Sequence, residues 1–238
     1  MSLIVTIRVN EGIVLAGDSR ATFNVQKVEN HQTIRGVGVH YTDSSNKVFL
    51  SPNGAGISYC GEAACEGKPL SGYLEKFLFS EVQEDTPVVD VGPLLLAYFR
   101  KFQPIPKVAF HVAGIIKEND TYVGKVWRVF PAEDRIENII DDKPGACWNG
   151  EVDVLARLLQ PVSVKGNGGK ELPMATHPVP WDLFTLQDAV DFAEYAIATT
   201  IDAMRFQLRS KTVGGPVDIL ALKAGESVWV KKKTLEAR

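Results

Sequence analysis

Cysteine is scarce in this chain, with 3 among 238 residues. Cys60, Cys65 and Cys147 share no CxxC spacing, which argues against a disulfide framework or a zinc knuckle and fits a reducing cytoplasm. The histidines His31, His40, His111 and His177 show neither HxH nor HxxxH spacing, so no metal centre is expected. An excess of one charge is also missing: 26 Lys and Arg stand against 29 Asp and Glu, for a net charge of -3. No nucleic-acid partner is expected from that balance. No apolar run is long enough for a transmembrane helix, and no membrane partner is expected. The first apolar stretch is interrupted by Thr6, Arg8, Asn10 and Glu11 and follows no basic segment, so it does not read as a signal peptide. The run GNGGK lacks the phosphate-loop spacing, since Lys170 is followed by Glu171, and no cofactor is expected. Neither repeats nor a linker divide the chain, which reads as one domain over residues 1–238.

What the chain does have is a strong strand signal at its front. Leu3, Val5, Ile7 and Val9 alternate with Ile4, Thr6, Arg8 and Asn10, the period of a strand. Asn10, Glu11 and Gly12 carry turn chemistry, and Ile13 to Ala16 is apolar throughout, as in a strand buried on both faces. A two-residue loop at Asn10 and Glu11 sets Leu3 opposite Asp18 and Ser2 opposite Ser19. Ser2 therefore falls beside an acidic residue. A serine exposed by loss of Met1 carries its own base, because a free α-amine has an ordinary pKa of about 7.7–8.0 and lies a few bonds from the hydroxyl.

Further along, residues 23–46 read as a polar, irregular insertion with a short strand at GVGVHYT. NKVFLS and AGISYCG flank the turn SPNG as a second hairpin. Helices are expected over about 63–81 and 89–102, then strands in KVAFHVAGIIK and YVGKVWRVF, near 136–140 and near 146–148. GEVDVLARLL reads as a helix, and the Gly- and Pro-rich stretch 161–182 as a functional loop or contact surface. TLQDAVDFAEYAIATTIDAMRFQL is a long helix capped by Thr185, followed by the strands VGGPVDILAL and SVWVKKK. This order predicts an α+β fold of two stacked antiparallel sheets with a helical layer on each outer side, not a doubly wound parallel sheet.

Taken in order, GIVLAGDSRAT, NKVF, GISYCGEA and VGGPVDILAL resemble the β-type proteasome subunits and HslV, members of the N-terminal nucleophile hydrolases. The resemblance covers nearly the whole chain. It implies a four-layer αββα sandwich, subunits assembled in a homo-oligomeric ring, and cleavage of peptide or protein amide bonds. It carries the family's first-residue threonine nucleophile onto Ser2, its acid onto Asp18, its lysine onto Lys47 and its oxyanion glycine onto Gly61. The sequence departs from the family in CWNGE, where Asn149 replaces the usual serine, and in RSKTVGGP, where Ser210 replaces an aspartate, with Thr212 nearby. Neither replacement supplies the missing negative charge. The resemblance leaves open a noncatalytic ring subunit, a small-molecule amidase, and any ATPase partner.

Overall fold

A computed structural model describes residues 2–29, 32–140 and 143–234, with the backbone alone over 24–29 and 32–40. Its elements begin with β1 (Leu3–Val9) and β2 (Gly12–Gly17), joined by the two-residue turn anticipated above. The register is the expected one, from Ile4 opposite Gly17 to Val9 opposite Gly12. Next come β3 (Ala21–Glu29) and β4 (Gln32–Thr42), a long two-stranded ribbon where the sequence suggested an irregular insertion. The ribbon pairs with neither large sheet, and the short strand expected at GVGVHYT falls within β4.

The hairpin of β5 (Val48–Leu50) and β6 (Gly56–Gly61) forms as expected. The first helix starts later than its apolar content suggested. A small hairpin, β7 (Ala64–Cys65) with β8 (Lys68–Pro69), precedes α1 (Leu70–Glu81). Glu66 and Gly67 between them both adopt left-handed backbone angles, the pattern of a tight hairpin turn. Then follow α2 (Val88–Phe99), β9 (Val108–Glu118), β10 (Thr121–Phe130), β11 (Arg135–Ile140), β12 (Gly145–Gly150) and α3 (Asp153–Leu159). The stretch 161–182 is exposed along nearly all its length and holds a short hairpin, β13 (Ser163–Lys165) with β14 (Glu171–Pro173). The chain continues through α4 (Leu186–Arg205), β15 (Asp218–Lys223) and β16 (Glu226–Lys231). Thr185 caps α4 in a reciprocal capping box with Asp188.

Two five-stranded antiparallel sheets organise the core, in the orders β12-β1-β2-β15-β16 and β11-β10-β9-β6-β5. The alternation along β1 explains how they are placed. Leu3, Val5, Ile7 and Val9 pack with Ala189, Ala193 and Ile197 of α4, whereas Ile4 packs with Cys60 and Ala109 of the other sheet. Ile13 and Leu15 likewise meet Val48, Ala113 and Val126 across the gap between sheets. The far face of the second sheet packs against α1 and α2 through Leu74, Phe77, Leu95 and Phe99. No helix among the described residues is long and apolar enough to cross a membrane.

Candidate active site

The start of β1 is pinned from two sides. On one side lies Asp18, fully buried just past the end of β2. Its Oδ1 accepts the Leu3 N–H at 3.0 Å and a Lys47 Nζ–H at 2.7 Å. Its Oδ2 accepts the Arg20 and Gly214 N–H groups at 3.1 and 3.0 Å. Four donors thus satisfy one buried carboxylate, which is what keeps such a charge tolerable away from water. The expected pairing of Leu3 with Asp18 is present, with Asp18 N–H also donating to the Leu3 carbonyl at 3.3 Å. Ser19 does not extend the ladder to Ser2; its N–H donates to Gly214 instead, at 3.0 Å.

Lys47 enters from the other sheet, immediately before β5, with only 2% of its surface exposed. Its ammonium donates to Asp18 Oδ1 and to the Arg20 carbonyl. Burial pushes the Lys47 pKa below the ordinary 10.5, and the adjacent Asp18 carboxylate opposes that shift. Arg20 in turn grips Asp43 through two bonds of 2.6 and 2.7 Å, which ties the base of the β3–β4 ribbon beside the lysine.

On the other side of Ser2 stands the end of β12. The Glu151 N–H donates to the Ser2 carbonyl at 2.8 Å. Gly150, at φ +107°, passes so close that a Cβ there would lie 1.8 Å from the same oxygen, so only glycine fits. Ser2 itself is 5% exposed. Met1, whose removal the nucleophile reading requires, lies outside the described residues.

Gly61 ends β6 at φ +120°, where a Cβ would meet the Lys107 carbonyl oxygen at 2.5 Å. It borders a cleft of about 490 Å³ whose wall includes Cys60, Lys107, Phe130, Asn149 and Gly150. The cleft therefore joins the end of β6 to the strand end that holds Ser2. Cys60 is 3% exposed, and burial pushes its thiol pKa up to about 12.

The two replacement residues are placed differently. Asn149 is half-buried on β12, opposite Ile4, and its Oδ1 lies 2.8 Å from His111 Nε2. With the proton on Nε2, that nitrogen donates to Asn149, and Nδ1 accepts from Thr6 Oγ1 at 2.9 Å. The Asn149 oxygen is thus engaged with His111. Ser210 is exposed, on the chain leading away from α4, and the structure does not bring it into the buried set. Thr212 is the residue of that segment that turns inward, 4% exposed, with its hydroxyl donating to Glu151 Oε1 at 2.9 Å. Sequence reasoning passed over Glu151, and its only signal was a carboxylate one position beyond the glycine of CWNGE. Among the described residues no cluster of three or more His, Cys, Asp or Glu could hold a metal ion.

No protein-family model matches the chain, and no curated protein does. Solved structures are similar to it over most of its length. Two are of Anbu from Hyphomicrobium sp. strain MC1, one of them a Gly-1 mutant, with TM-scores of 0.58 and 0.57 at 15% identity. They align with 93% and 94% of this chain and 82% of their own. Anbu from Yersinia bercovieri, described as an ancestral β-subunit, gives a TM-score of 0.55 at 13% identity, over 98% of this chain and 88% of that one. At these identities the likeness is one of fold, and it bears out the proteasome-like fold that the sequence resemblance implies.

Proposed function

We propose that this chain is an N-terminal nucleophile hydrolase of proteasome type, cleaving amide bonds in peptides or proteins. In this reading the two sheets and their helices make one four-layer αββα domain over residues 1–238. The observation that carries the proposal is the shared oxygen of Asp18, which joins the peptide N–H following Ser2 to the buried Lys47 ammonium. A buried cation beside a chain-terminal hydroxyl lowers the cost of its ionisation and stabilises developing negative charge.

The steps follow from ordinary acyl-transfer chemistry. Loss of Met1 frees the Ser2 α-amine. Ser2 Oγ attacks the substrate carbonyl while its proton passes to that amine, directly or through a water. Asp18 orients Lys47, and the Gly61 N–H receives the carbonyl oxygen as it becomes an oxyanion. The tetrahedral intermediate expels the leaving amine, which takes the proton, and water then hydrolyses the Ser2 ester. We assign the subunit to the cytoplasm and to a homo-oligomeric ring, and a monomer at every concentration in sedimentation would argue against the ring.

The test is Ser2→Ala in protein whose Met1 removal is verified by intact mass, assayed on fluorogenic peptide amides. Loss of turnover with unchanged thermal unfolding is the expected result, and hydrolysis at the wild-type rate overturns the proposal. The placements of Asn149 against His111 and of Ser210 at the surface favour a second reading, a noncatalytic ring subunit. Labelling of Ser2 by an electrophilic hydroxyl-directed probe separates the two: a reactive Ser2 supports the enzyme, and an inert one in folded, trimmed protein supports the scaffold.

A further inference from the structure

A second carboxylate flanks Ser2, on the side away from Asp18. The β1–β12 ladder sets Leu3 opposite Gly150, so Ser2 and Glu151 are the next pair along, joined by the 2.8 Å bond from Glu151 N–H to the Ser2 carbonyl. Directly opposed residues of an antiparallel ladder keep their Cα atoms about 4.5–5.5 Å apart, and a glutamate side chain spans that distance. The carboxylate is not left to solvent. Its side chain is only 14% exposed, and Thr212 Oγ1 donates to Oε1 at 2.9 Å.

The surrounding charges are unbalanced. Arg209 Nη1 lies 3.6 Å from Glu151 Oε2 but makes its hydrogen bond to Asp153 Oδ1, at 3.0 Å. Arg157 reaches Asp153 only at 3.9 Å, from a side chain 71% exposed, where water screens it. Lys211 is directed to the Met204 and Gln207 carbonyls. Across Ser2, Asp18 is matched by Lys47 and Asp43 by Arg20. Around the end of β12, Glu151 and Asp153 therefore share one sheltered guanidinium, which bonds the more exposed Asp153 and leaves the sheltered Glu151 carboxylate with a cation no nearer than 3.6 Å among the described residues.

We propose that Glu151, clasped by Thr212, is the anionic partner of the Ser2 α-amine after Met1 is removed, a positioning residue that stands in for the charge lacking at Asn149 and Ser210. The inference rests on reading Ser2 as the first residue of the working chain. A carboxylate next to the amine favours the ammonium form and so sets the pH above which the amine is free to accept the hydroxyl proton. Thr212 also lies two residues from Gly214, whose N–H holds Asp18 Oδ2. One short segment thereby fixes both carboxylates around Ser2.

The experiment titrates the amine itself in the full chain, with Met1 loss verified by intact mass. Competitive acetylation by acetic anhydride across pH, read by mass spectrometry of the N-terminal peptide, is compared in wild type, Glu151→Gln and Thr212→Val. Glu151→Gln should lower the amine pKa by about 1 unit, or about tenfold faster acetylation below that pKa. Thr212→Val should move it the same way by less, and carries the test if Glu151→Gln fails to fold. A wild-type titration in the folded variants overturns the proposal. Because the readout is not hydrolysis, a flat titration with an inactive Ser2→Ala protein overturns this inference alone, whereas an active Ser2→Ala protein overturns the functional reading alone. A chain that keeps Met1 overturns both.

Discussion

His111 Nε2 and Asn149 Oδ1 stand 2.8 Å apart, linking the central strand of one sheet to an edge strand of the other. Complete burial of His111 pushes its pKa from the ordinary 6.5 down to about 4, against the opposing effect of the Asn149 bond. Between those values the unfolded chain binds a proton that the folded chain does not, so stability is full above pH 6.5 and is lost as pH falls toward 4. The loss from this one group reaches about 3 kcal/mol. Urea unfolding at neutral and acid pH should show it in wild type and show less of it in His111→Gln, which cannot titrate. Equal acid sensitivity in the two proteins would place the loss elsewhere.

The Asp18–Lys47 pair should behave as a coupled unit. Removing one partner leaves the other charge buried and unmatched, and Asp18→Asn or Lys47→Met alone should cost about 3–5 kcal/mol. The double variant should cost much less than the sum. A double-mutant cycle by chemical denaturation measures the coupling, and additive losses would show that the pair is not coupled.

Two glycines of β12 give a controlled comparison. A Cβ at Gly150 would overlap the Ser2 carbonyl at 1.8 Å, whereas a Cβ at Gly145 meets nothing within 4 Å. Gly150→Ala should displace the start of β1, abolish labelling of Ser2 by the electrophilic probe and destabilise the fold. Gly145→Ala should stay within about 0.5 kcal/mol of wild type. Similar behaviour of the two variants in probe labelling and thermal unfolding would remove Gly150 from the account of the site.

The α4 cap offers a smaller effect remote from the site. Thr185→Ala removes the hydroxyl that accepts the Asp188 N–H at 3.1 Å, and should lower stability by about 1 kcal/mol. Denaturant midpoints measure that loss, and an unchanged midpoint would remove the capping box from the account of α4 stability.

Local signals in the sequence carried much of the architecture. The register of β1 with β2 followed from alternation and a two-residue turn, and the start of α4 from Thr185 ahead of a helical repeat. The placing of Asp18 beside Leu3 followed from that same register. What escaped was set mainly by partners distant in sequence. The partner of Asn149 was not legible because nothing local announces His111, which meets it across the gap between sheets. Glu151 fell within GEVDVLARLL, read as a helix that in fact starts at Asp153, and nothing local marked it because Thr212, which clasps it, is 61 positions away. Of the β3–β4 ribbon only the GVGVHYT part of β4 was read as a strand, because the ribbon pairs with neither large sheet.

The Asp18 carboxylate also fixes when the site comes into being. One of its donors, the Gly214 N–H, lies 196 residues further along the chain, and β1 waits for β12 to cover its open edge. Contacts of such long sequence separation form late, after the loop-closure entropy of the intervening chain has been overcome. During synthesis the first hairpin thus leaves the ribosome long before its neighbours and holds an incomplete strand edge. The buried charges around Ser2 cannot gather their full set of donors until the segment carrying Gly214 has been made, so a shorter nascent chain holds Asp18 without the bond that fixes its Oδ2.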